Sequence, residues 1–301
     1  MGAPMGHALF DAFFGTEAGK GREYLTRSIE LALEEDGPDL TARGIFTPLA
    51  TMRAHIVAKE PTLVVGLPLI PLIFATFGDM GAWQYTVEEG ACVPAGAEVC
   101  RLQGHCQTLL KLERVILNYI THLSGIANMT KRYVQALEGT GVRLLDTRKT
   151  LPGLRYPEKY AVRMGGGHNH RMDLAAMLML KDTHIDAAGS ITGAVASCRS
   201  RHTPCPPIEV ECRTLAEVRE AVAAGVDRVM LDNMDMPALA EALPAIPSAI
   251  EAEISGGVTL ENIRSLALAS PRRPDFISVG RLTHSAPTAD FSMRITKGAR
   301  S

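Results

Sequence analysis

The sequence predicts an α/β barrel in the second half of the chain and a separate α+β domain before it. In the second half, short apolar strands alternate with helical stretches, and each strand ends at a polar residue or a glycine. Functional side chains at the ends of successive strands are typical of the catalytic face of an α/β barrel. The residues before 117 lack this repeat, which indicates a different kind of domain there.

Six segments of the second half are predicted to be strands. They are Val142 to Leu145 before Asp146, Met177 to Leu180 before Lys181, Ile208 to Val210 before Glu211, Arg228 to Leu231 before Asp232, Ile250 to Ile254 before Ser255, and Phe276 to Val279 before Gly280. Between the strands, the capping box that begins at Thr214 predicts a helix, and Thr259 is predicted to cap another.

The N-terminal part alternates between helical and strand-like segments. A helix is predicted near Tyr24 to Glu35, strands near Met52 to Lys59 and Ala97 to Leu102, and a long amphipathic helix from Thr108 to Met129. We therefore predict an N-terminal α+β domain at residues 1–116 and a barrel domain at residues 117–286. The C-terminal residues 287–301 are predicted to pack back on the first domain.

Composition indicates an ordinary globular enzyme and excludes two kinds of partner. The 301 residues include 31 basic and 33 acidic side chains, so a net charge of -2 gives no long-range field for nucleic acid or an anionic membrane. The most apolar segment, Pro61 to Phe77, contains prolines and is shorter than the ~20 residues of a membrane span. The six cysteines form no C-x-x-C pair, which favours reduced thiols and a cytoplasmic location.

Positive charge is concentrated between Asp146 and Lys181. This stretch contains seven Arg or Lys residues, two His and only three acids. Guanidinium groups pair bidentately with carboxylate and phosphate groups. The stretch therefore predicts a site for a small, highly anionic ligand.

Nine segments in fixed order carry a resemblance to a known family. They are Glu113 to Asn118, Ser124 to Ala127, Thr147 to Thr150, Gly165 to Arg171, Leu180 to Asp182, Glu209 to Glu211, Leu231 to Asn233, Ser255 to Gly257 and Gly280 to Ser285. From about Glu34 to Ser292, the chain resembles quinolinate phosphoribosyltransferase, the carboxylating nicotinate-nucleotide pyrophosphorylase. The resemblance implies an open, incomplete α/β barrel of about seven strands and an N-terminal α+β sandwich domain.

The resemblance also implies an activity, that of a glycosyltransferase (pentosyltransferase) of NAD biosynthesis. The reaction transfers phosphoribosyl from phosphoribosyl pyrophosphate to quinolinate with decarboxylation, which gives nicotinate mononucleotide, pyrophosphate and CO2. The residues that the resemblance assigns to quinolinate are Arg114, Thr147, Arg148, His170, Arg171 and Lys181. Arg114 would come from the neighbouring subunit of a homodimer or larger homo-oligomer with shared sites.

Phosphoribosyl pyrophosphate is assigned to Lys149, Glu211, Asp232, Ser255, Gly256, Gly257 and Gly280, of which the first three are the expected catalytic residues. Departure of pyrophosphate leaves a ribosyl cation, which preorganised carboxylates can stabilise. Glu211 and Asp232 can hold the ribose hydroxyls and Mg²⁺, directly or through water, because this cation prefers oxygen ligands. The backbone at Ser255-Gly256-Gly257 and at Gly280 is expected to cradle the 5-phosphate.

Two positions depart from the family pattern, and other functions stay open. Thr183 stands where an Asn is common, and Ala176 where an Asp is common. A zinc pair at His168 and His170 lacks a third ligand of suitable spacing. Three rival functions are a phosphoribosyltransferase acting on nicotinate, a molybdenum-transport-associated relative, and a catalytically silent regulator that binds phosphometabolites. The regulator would be expected to have lost Lys149, Glu211 or Asp232.

Overall fold

The computed structural model describes residues 5–15 and 19–296, which fall into two compact units. The first unit contains described residues up to Thr130, residues 150–166 and the residues from Leu282 onward. The second unit contains residues 131–149 and 167–281. The units divide the chain at Thr130 and Lys131, whereas the sequence places a domain boundary at residues 116 and 117; that boundary stays a prediction.

Helices and strands alternate along the chain. The helices are α1 (Met5–Phe14), α2 (Lys20–Glu35), α3 (Leu40–Ile45), α4 (Leu69–Phe77), α5 (Cys106–Ala136), α6 (Arg155–Met164), α7 (Asp182–Ala188), α8 (Ile191–Arg201), α9 (Leu215–Ala223), α10 (Met236–Ala242), α11 (Ile263–Ala267) and α12 (Arg281–His284), with a 3-10 turn at Leu243–Ala245. The strands are β1 (Thr51–Ala58), β2 (Thr62–Leu63), β3 (Ala82–Tyr85), β4 (Cys92–Val93), β5 (Glu98–His105), β6 (Arg143–Leu145), β7 (Leu178–Leu180), β8 (Ile208–Cys212), β9 (Arg228–Asp232), β10 (Glu251–Ser255), β11 (Phe276–Ser278) and β12 (Phe291–Ile295).

The first unit is built on an antiparallel sheet in the order β12-β1-β5-β3. The predicted helix near Tyr24 to Glu35 is confirmed as part of α2, and the predicted strands in this part correspond to β1 and β5. β12 pairs with β1 from Ala54 to Ala58, so the chain returns to this sheet after the second unit. Residues 297–301, which belong to the predicted C-terminal segment, lie outside the described residues.

A buried carboxylate organises the interior of the first unit. Glu89 accepts hydrogen bonds from the backbone N–H of Gly66 (2.7 Å) and Leu67 (3.0 Å) and from the hydroxyl of Tyr160 (2.8 Å). Burial raises the pKa of Glu89 to about 7, against the opposing effect of these hydrogen bonds. The fully buried ring of Tyr160 also packs edge-on against Phe14 of α1, which ties α6 to the first unit.

The second unit contains a parallel sheet in the order β6-β11-β10-β9-β8-β7. Among the described residues no strand joins β6 to β7, so the predicted open α/β barrel is confirmed. The sheet has six strands, not about seven, because His168 pairs with Leu145 of β6 through a single isolated bridge. Beyond that bridge, the carboxylate of Asp146 accepts hydrogen bonds from Asn169 and His170 in place of strand pairing.

Successive side chains of these strands point to opposite faces of the sheet. One face is apolar and fully buried, and includes Val210, Leu231 and Ile254. α9 contacts β8 and β9 and covers part of the sheet. The other face carries charge, because residues such as Glu209 and Arg228 alternate with the apolar ones. The sheet therefore brings charged side chains of several strands into the interior of the open barrel.

One of the two predicted helix caps is present. The Thr214 side chain accepts a hydrogen bond from the Glu217 N–H at the start of α9, as predicted. The prediction for Thr259 was wrong, because α11 begins at Ile263 with Asn262 before it. The Asn262 side chain accepts from the Thr259 N–H and donates to the Gly257 carbonyl, which keeps these residues in a turn. No described helix combines the length and the apolar character that a membrane crossing requires.

We expect Gly125→Ala to lower the free energy of unfolding by about 1–3 kcal/mol, the range for overpacking a filled interior. A Cβ at Gly125 of α5 would overlap the carbonyl oxygen of Pro287, and backbone cannot move aside as a flexible side chain can. The measurement is urea unfolding followed by circular dichroism. Gly44→Ala in α3 is the matched control, because an added Cβ there has no neighbour within 4 Å. It should be neutral or stabilising, and equal losses in both variants would contradict the close approach at Gly125.

Candidate active site

The predicted site residues of the barrel lie at the carboxyl edge of the parallel sheet. Ser255 of β10 is paired in register with Asp232 of β9. The register of β7 and β8 puts Lys181, directly after β7, at the level of Glu211. We call Lys181, Glu211, Asp232 and Ser255 the upper layer. The order of the strands therefore brings together residues that are far apart in sequence.

Lys181 and Glu211 form an ion pair within the upper layer. Lys181 Nζ lies 3.3 Å from Glu211 Oε2. The Glu211 side chain is 14% exposed and that of Lys181 47%, so the pair lies where the interior opens to solvent. The structure thus joins a cation assigned to quinolinate with an acid assigned to phosphoribosyl pyrophosphate.

The ends of β9 and β10 are held together by an unusual backbone conformation. Asn233 has a positive φ of 53° and donates its backbone N–H to the Ser255 carbonyl at 2.9 Å. Its side-chain amide donates to Asp232 Oδ2 at 2.7 Å. Gly256 has a φ of 89°, and a Cβ there would overlap the Asn233 amide. Glycine is therefore required at this position both for its conformation and for the close approach of Asn233.

Arg148 and Arg171 lie near each other. Arg171 is partly buried and donates to the Met177 carbonyl at 3.0 Å. Burial and the nearby positive charge of Arg148 lower the pKa of Arg171. Arg148 Nε is buried and has no hydrogen-bond partner among the described residues. Two neighbouring guanidinium groups with this unused donor suit a ligand with more than one anionic group.

The loop after β6 carries two more predicted residues. The Thr147 hydroxyl accepts a hydrogen bond of 3.0 Å from the backbone N–H of Lys149, and the Lys149 side chain is exposed. Gly280 directly precedes α12 and follows β11, next to β6 in the sheet. Nine of the assigned positions thus lie at or just beyond the ends of the barrel strands: Thr147, Arg148, Lys149, Lys181, Glu211, Asp232, Ser255, Gly256 and Gly280.

Arg114 is the assigned residue that belongs to the first unit. It lies on α5 and is exposed. The first unit also contains a cavity of about 790 Å³ lined by α2, α5 and the turn at residues 152–154. None of the predicted site residues lines that cavity.

His170 is buried against two buried carboxylates. Its Nε2 lies 3.1 Å from Glu209 and 3.5 Å from Glu253. Burial disfavours a charged ring, but the two carboxylates outweigh burial and raise the pKa of His170 to about 9. Nδ1 accepts a hydrogen bond of 2.7 Å from the Arg171 N–H, which requires an unprotonated Nδ1 and so limits the rise. The net effect is a pKa of His170 above its ordinary value.

Beneath the upper layer lies a second charged set, which we call the lower layer: Glu209, Glu253, Arg228 and His170. Arg228 Nη1 is 3.3 Å from Glu253, and Arg228 Nη2 is 2.6 Å from Glu251. Among the described residues, His170, Glu209 and Glu253 are the one group of three side chains close enough to share a metal ion. His168 is not part of this group, so the residues beside His170 are two glutamates and not the second histidine of the zinc pair considered from the sequence.

Glu209, Glu253 and a role for Asp146 were not predicted from the sequence. Asp146 is fully buried; its Oδ1 accepts the His170 N–H at 2.8 Å and its Oδ2 the Asn169 amide at 2.7 Å. A signal was present, because Glu209 and Glu253 each stand two residues before an upper-layer residue in an apolar strand. Residues at that spacing share a face of the sheet.

Comparison with known proteins identifies the family. Residues 39–124 match the N-terminal domain of quinolinate phosphoribosyl transferase, and residues 126–294 match its C-terminal domain. The chain belongs to the quinolinate phosphoribosyltransferase family. A Synechocystis protein named probable nicotinate-nucleotide pyrophosphorylase (carboxylating) is 44% identical over 249 residues, which cover 81% of this chain and 83% of that protein.

Other members of the quinolinate phosphoribosyltransferase family agree in length and fold. A Bacillus subtilis protein with the same name is 40% identical over 265 residues, 88% of this chain and 90% of its own. The crystal structure of NadC from Streptococcus pyogenes is 39% identical, with a TM-score of 0.84 over 90% of this chain and 95% of that one. The resemblance stated from the nine sequence segments is therefore confirmed.

The two departures from the quinolinate phosphoribosyltransferase pattern lie at exposed positions. Thr183 is in the first turn of α7, where its N–H donates to Asp182 at 2.7 Å. The Ala176 N–H donates to Asp173 at 3.0 Å in the turn before β7. Neither residue belongs to the upper or the lower layer.

We expect the ion pairs of His170 to make the fold less stable as pH rises. A group whose pKa is higher in the folded chain stabilises it below the unfolded pKa, and this contribution is lost above the folded pKa. For His170 the window runs from 6.5 to about 9. The loss is at most about 3.5 kcal/mol, since one pKa unit corresponds to about 1.4 kcal/mol. Urea unfolding below and above this window should show the loss in the wild type and not in His170→Gln.

His202→Gln is the control for that measurement. His202 is exposed, and its ring contacts the Cys198 carbonyl at 2.9 Å. This variant should lose as much stability with pH as the wild type. An equal pH dependence of the wild type and His170→Gln would contradict the proposed ion pairs.

Proposed function

We propose that this protein transfers the phosphoribosyl group of phosphoribosyl pyrophosphate to quinolinate, with loss of pyrophosphate and CO2, and so forms nicotinate mononucleotide for NAD biosynthesis. The observation that carries the proposal is the upper layer. There Lys181, which is assigned to quinolinate, lies 3.3 Å from Glu211, which is assigned to the ribose. Membership of the family over both domains supports the same reaction.

In this proposal, cations at the carboxyl edge of the sheet bind the two carboxylates of quinolinate. Arg148 and Arg171 supply neighbouring guanidinium groups, and Lys181 approaches from β7. Thr147 borders them in the loop after β6. His170 lies beneath them, with Nε2 turned to Glu209 and Nδ1 accepting the Arg171 N–H.

The acids of the upper layer act on the sugar. As the bond to pyrophosphate breaks, positive charge develops on the ribose, and the carboxylates of Glu211 and Asp232 stabilise it while they hold the hydroxyls. Lys149, which is exposed in its loop, neutralises the departing pyrophosphate. Attack by the pyridine nitrogen then leaves a cationic ring. The adjacent carboxylate departs as CO2, its bond electrons pass to the ring carbon, and that carbon takes up a proton.

Mg²⁺ is the proposed metal, held by Glu211 and Asp232. Both are carboxylates at neighbouring strand ends, and Asp232 Oδ2 already accepts from Asn233. Among the described residues neither belongs to a group of three metal-binding side chains. This suits Mg²⁺, which usually keeps several waters and binds one or two carboxylates together with substrate phosphates. When bound, Mg²⁺ supplies positive charge to the pyrophosphate.

The 5-phosphate is assigned to backbone N–H groups after β10 and β11. Ser255, Gly256 and Gly257 form a turn in which both glycines have positive φ, 89° and 62°. Gly280 lies in the turn after β11, and β11 is the strand next to β10 in the sheet. Consecutive N–H groups of such turns form concave sites for anions.

We propose a homodimer or larger homo-oligomer in which Arg114 of the partner subunit completes each site. Exposed apolar side chains of the first unit support an interface there, since such residues mark contacts between proteins. They are Leu40, Ile45, Leu49, Phe77 and Met80. The proposed cytoplasmic location is supported by the sequence, whose six cysteines include no C-x-x-C pair.

The reaction is tested by incubating the purified protein with quinolinate, phosphoribosyl pyrophosphate and Mg²⁺. We expect nicotinate mononucleotide by mass and one CO2 for each product molecule, and no turnover when EDTA removes Mg²⁺. Product formed from nicotinate at a similar rate and without CO2 would support the nicotinate alternative. Binding of phosphoribosyl pyrophosphate without turnover of either pyridine would support the silent regulator, although the chain retains Lys149, Glu211 and Asp232.

Sharing of the site between subunits is tested by mixing two inactive variants. Arg114→Ala and Glu211→Ala, allowed to exchange subunits, should regain about a quarter of wild-type activity. Half of randomly mixed dimers are hybrids, and each hybrid has one intact site of two. Native mass spectrometry verifies the hybrids.

The matched control mixes Glu211→Ala with Asp232→Ala. Both residues act within one subunit, so each site of a hybrid has one of the two losses and no activity should return. Verified Arg114→Ala hybrids without recovery would show that Arg114 acts within its own chain or not at all.

A further inference from the structure

We propose that Glu209 and Glu253 are positioning residues for quinolinate: they hold the ring of His170, and the ring holds the backbone of Arg171. This inference rests on the proposed function. Neither glutamate is at the opening of the site, and both are fully buried on separate strands, β8 and β10.

The contacts form a chain that ends at a substrate-binding residue. Glu209 and Glu253 lie 3.1 Å and 3.5 Å from His170 Nε2. On the opposite side of the ring, Nδ1 accepts the Arg171 N–H at 2.7 Å. The ring is therefore clamped between two carboxylates and the main chain that carries the Arg171 guanidinium.

Asp146 fixes the same loop from the β6 side. It accepts the backbone N–H of His170 at 2.8 Å and the amide of Asn169 at 2.7 Å. The backbone of this loop is thus fixed by one buried acid, and the ring within it by two others. A displacement of 1 Å at a substrate-binding group can cost about 100-fold in rate, which gives such a frame a function.

Charge balance explains why two acids are tolerated in the lower layer. Two buried carboxylates with Arg228 alone would leave one negative charge in excess, and a proton on the cluster removes it. Three charged groups face the lower-layer acids and His170: Arg228 of β9, Arg171 next to His170 in its loop, and Asp146 directly after β6. Both side-chain oxygens of Glu209 are buried without a hydrogen bond among the described residues, and Oε2 lies 3.1 Å from His170 Nε2.

A metal ion is the rival occupant of this cluster, and two contacts oppose it. The guanidinium of Arg228, 3.3 Å from Glu253, would repel a cation there. A metal on Nε2 would also require the proton on Nδ1, where the Arg171 N–H now donates. The geometry therefore favours a proton over a metal ion.

The test is steady-state kinetics of Glu209→Gln, which keeps the shape of the side chain and removes its charge. We expect KM for quinolinate to rise about 10- to 100-fold, because the Arg171 position is loosened. KM for phosphoribosyl pyrophosphate should stay within about twofold of the wild type, since the upper-layer acids are unchanged. Glu253→Gln is the second variant, and Glu209→Asp should restore part of the affinity.

Coupling to His170 separates positioning from a general loss of structure. In a His170→Gln background, Glu209→Gln should raise KM for quinolinate by less than about twofold, because the ring through which it acts is gone. Glu251→Gln is the matched control: it lies on β10, pairs with Arg228 at 2.6 Å and does not contact His170. It should keep wild-type kinetics.

The outcomes distinguish this inference from the proposed function. A wild type without turnover of quinolinate refutes the function itself. An active wild type with unchanged KM in both glutamine variants, or effects that add fully to His170→Gln, overturns the positioning role. One equivalent of a divalent metal in the purified wild type that Glu209→Gln loses would also overturn it, whereas less than about a tenth of an equivalent supports the proton.

Discussion

The alternation of side chains along parallel strands is the constraint on which the candidate site depends. Because side chains repeat every two residues, Glu209 and Glu211 of β8 share one face, and so do Arg228 and Asp232 of β9. A shift of one residue in any strand would move its charges into the apolar face, where Val210 and Leu231 are fully buried. The apolar core thus fixes the register, and the register fixes the site.

Much of the second unit could be predicted from the sequence because its signals are local. Each strand is a short apolar run, and each candidate residue follows it directly, so the ends of the strands located Lys181, Asp232 and Gly280. The long helix α5 was equally visible from its periodicity. The nine segments carried the family assignment, since their order and spacing leave few alternatives.

What the sequence did not reveal depends on contacts between distant residues. Glu209 and Glu253 are 44 positions apart and come together because β8 and β10 both pair with β9, which puts the two glutamates on the same face of one sheet. Their spacing of two residues from Glu211 and Ser255 places each on the charged face of its strand, but it does not show that the two carboxylates meet at His170. The same applies to Asp146, whose hydrogen bonds to Asn169 and His170 replaced an expected seventh strand with a single bridge. The start of α11 was not predicted correctly, because the Asn262 side chain accepts the Thr259 N–H and so keeps Thr259 in the turn before the helix.

The two charged layers differ in how much it costs to rearrange them, and this difference suits a binding site. In the Lys181–Glu211 pair the lysine side chain is 47% exposed and the glutamate 14%, so solvent screens the attraction at the lysine and an arriving dicarboxylate can draw the lysine away. Removing one partner from a buried set such as Glu209, Glu253 and Arg228 costs about 3–5 kcal/mol. The lower layer therefore keeps its arrangement while the upper layer exchanges partners. In the proposed reaction, a rigid frame below and exchangeable pairs above would let quinolinate displace Lys181 from Glu211, which then binds the sugar, without disturbing the position of Arg171.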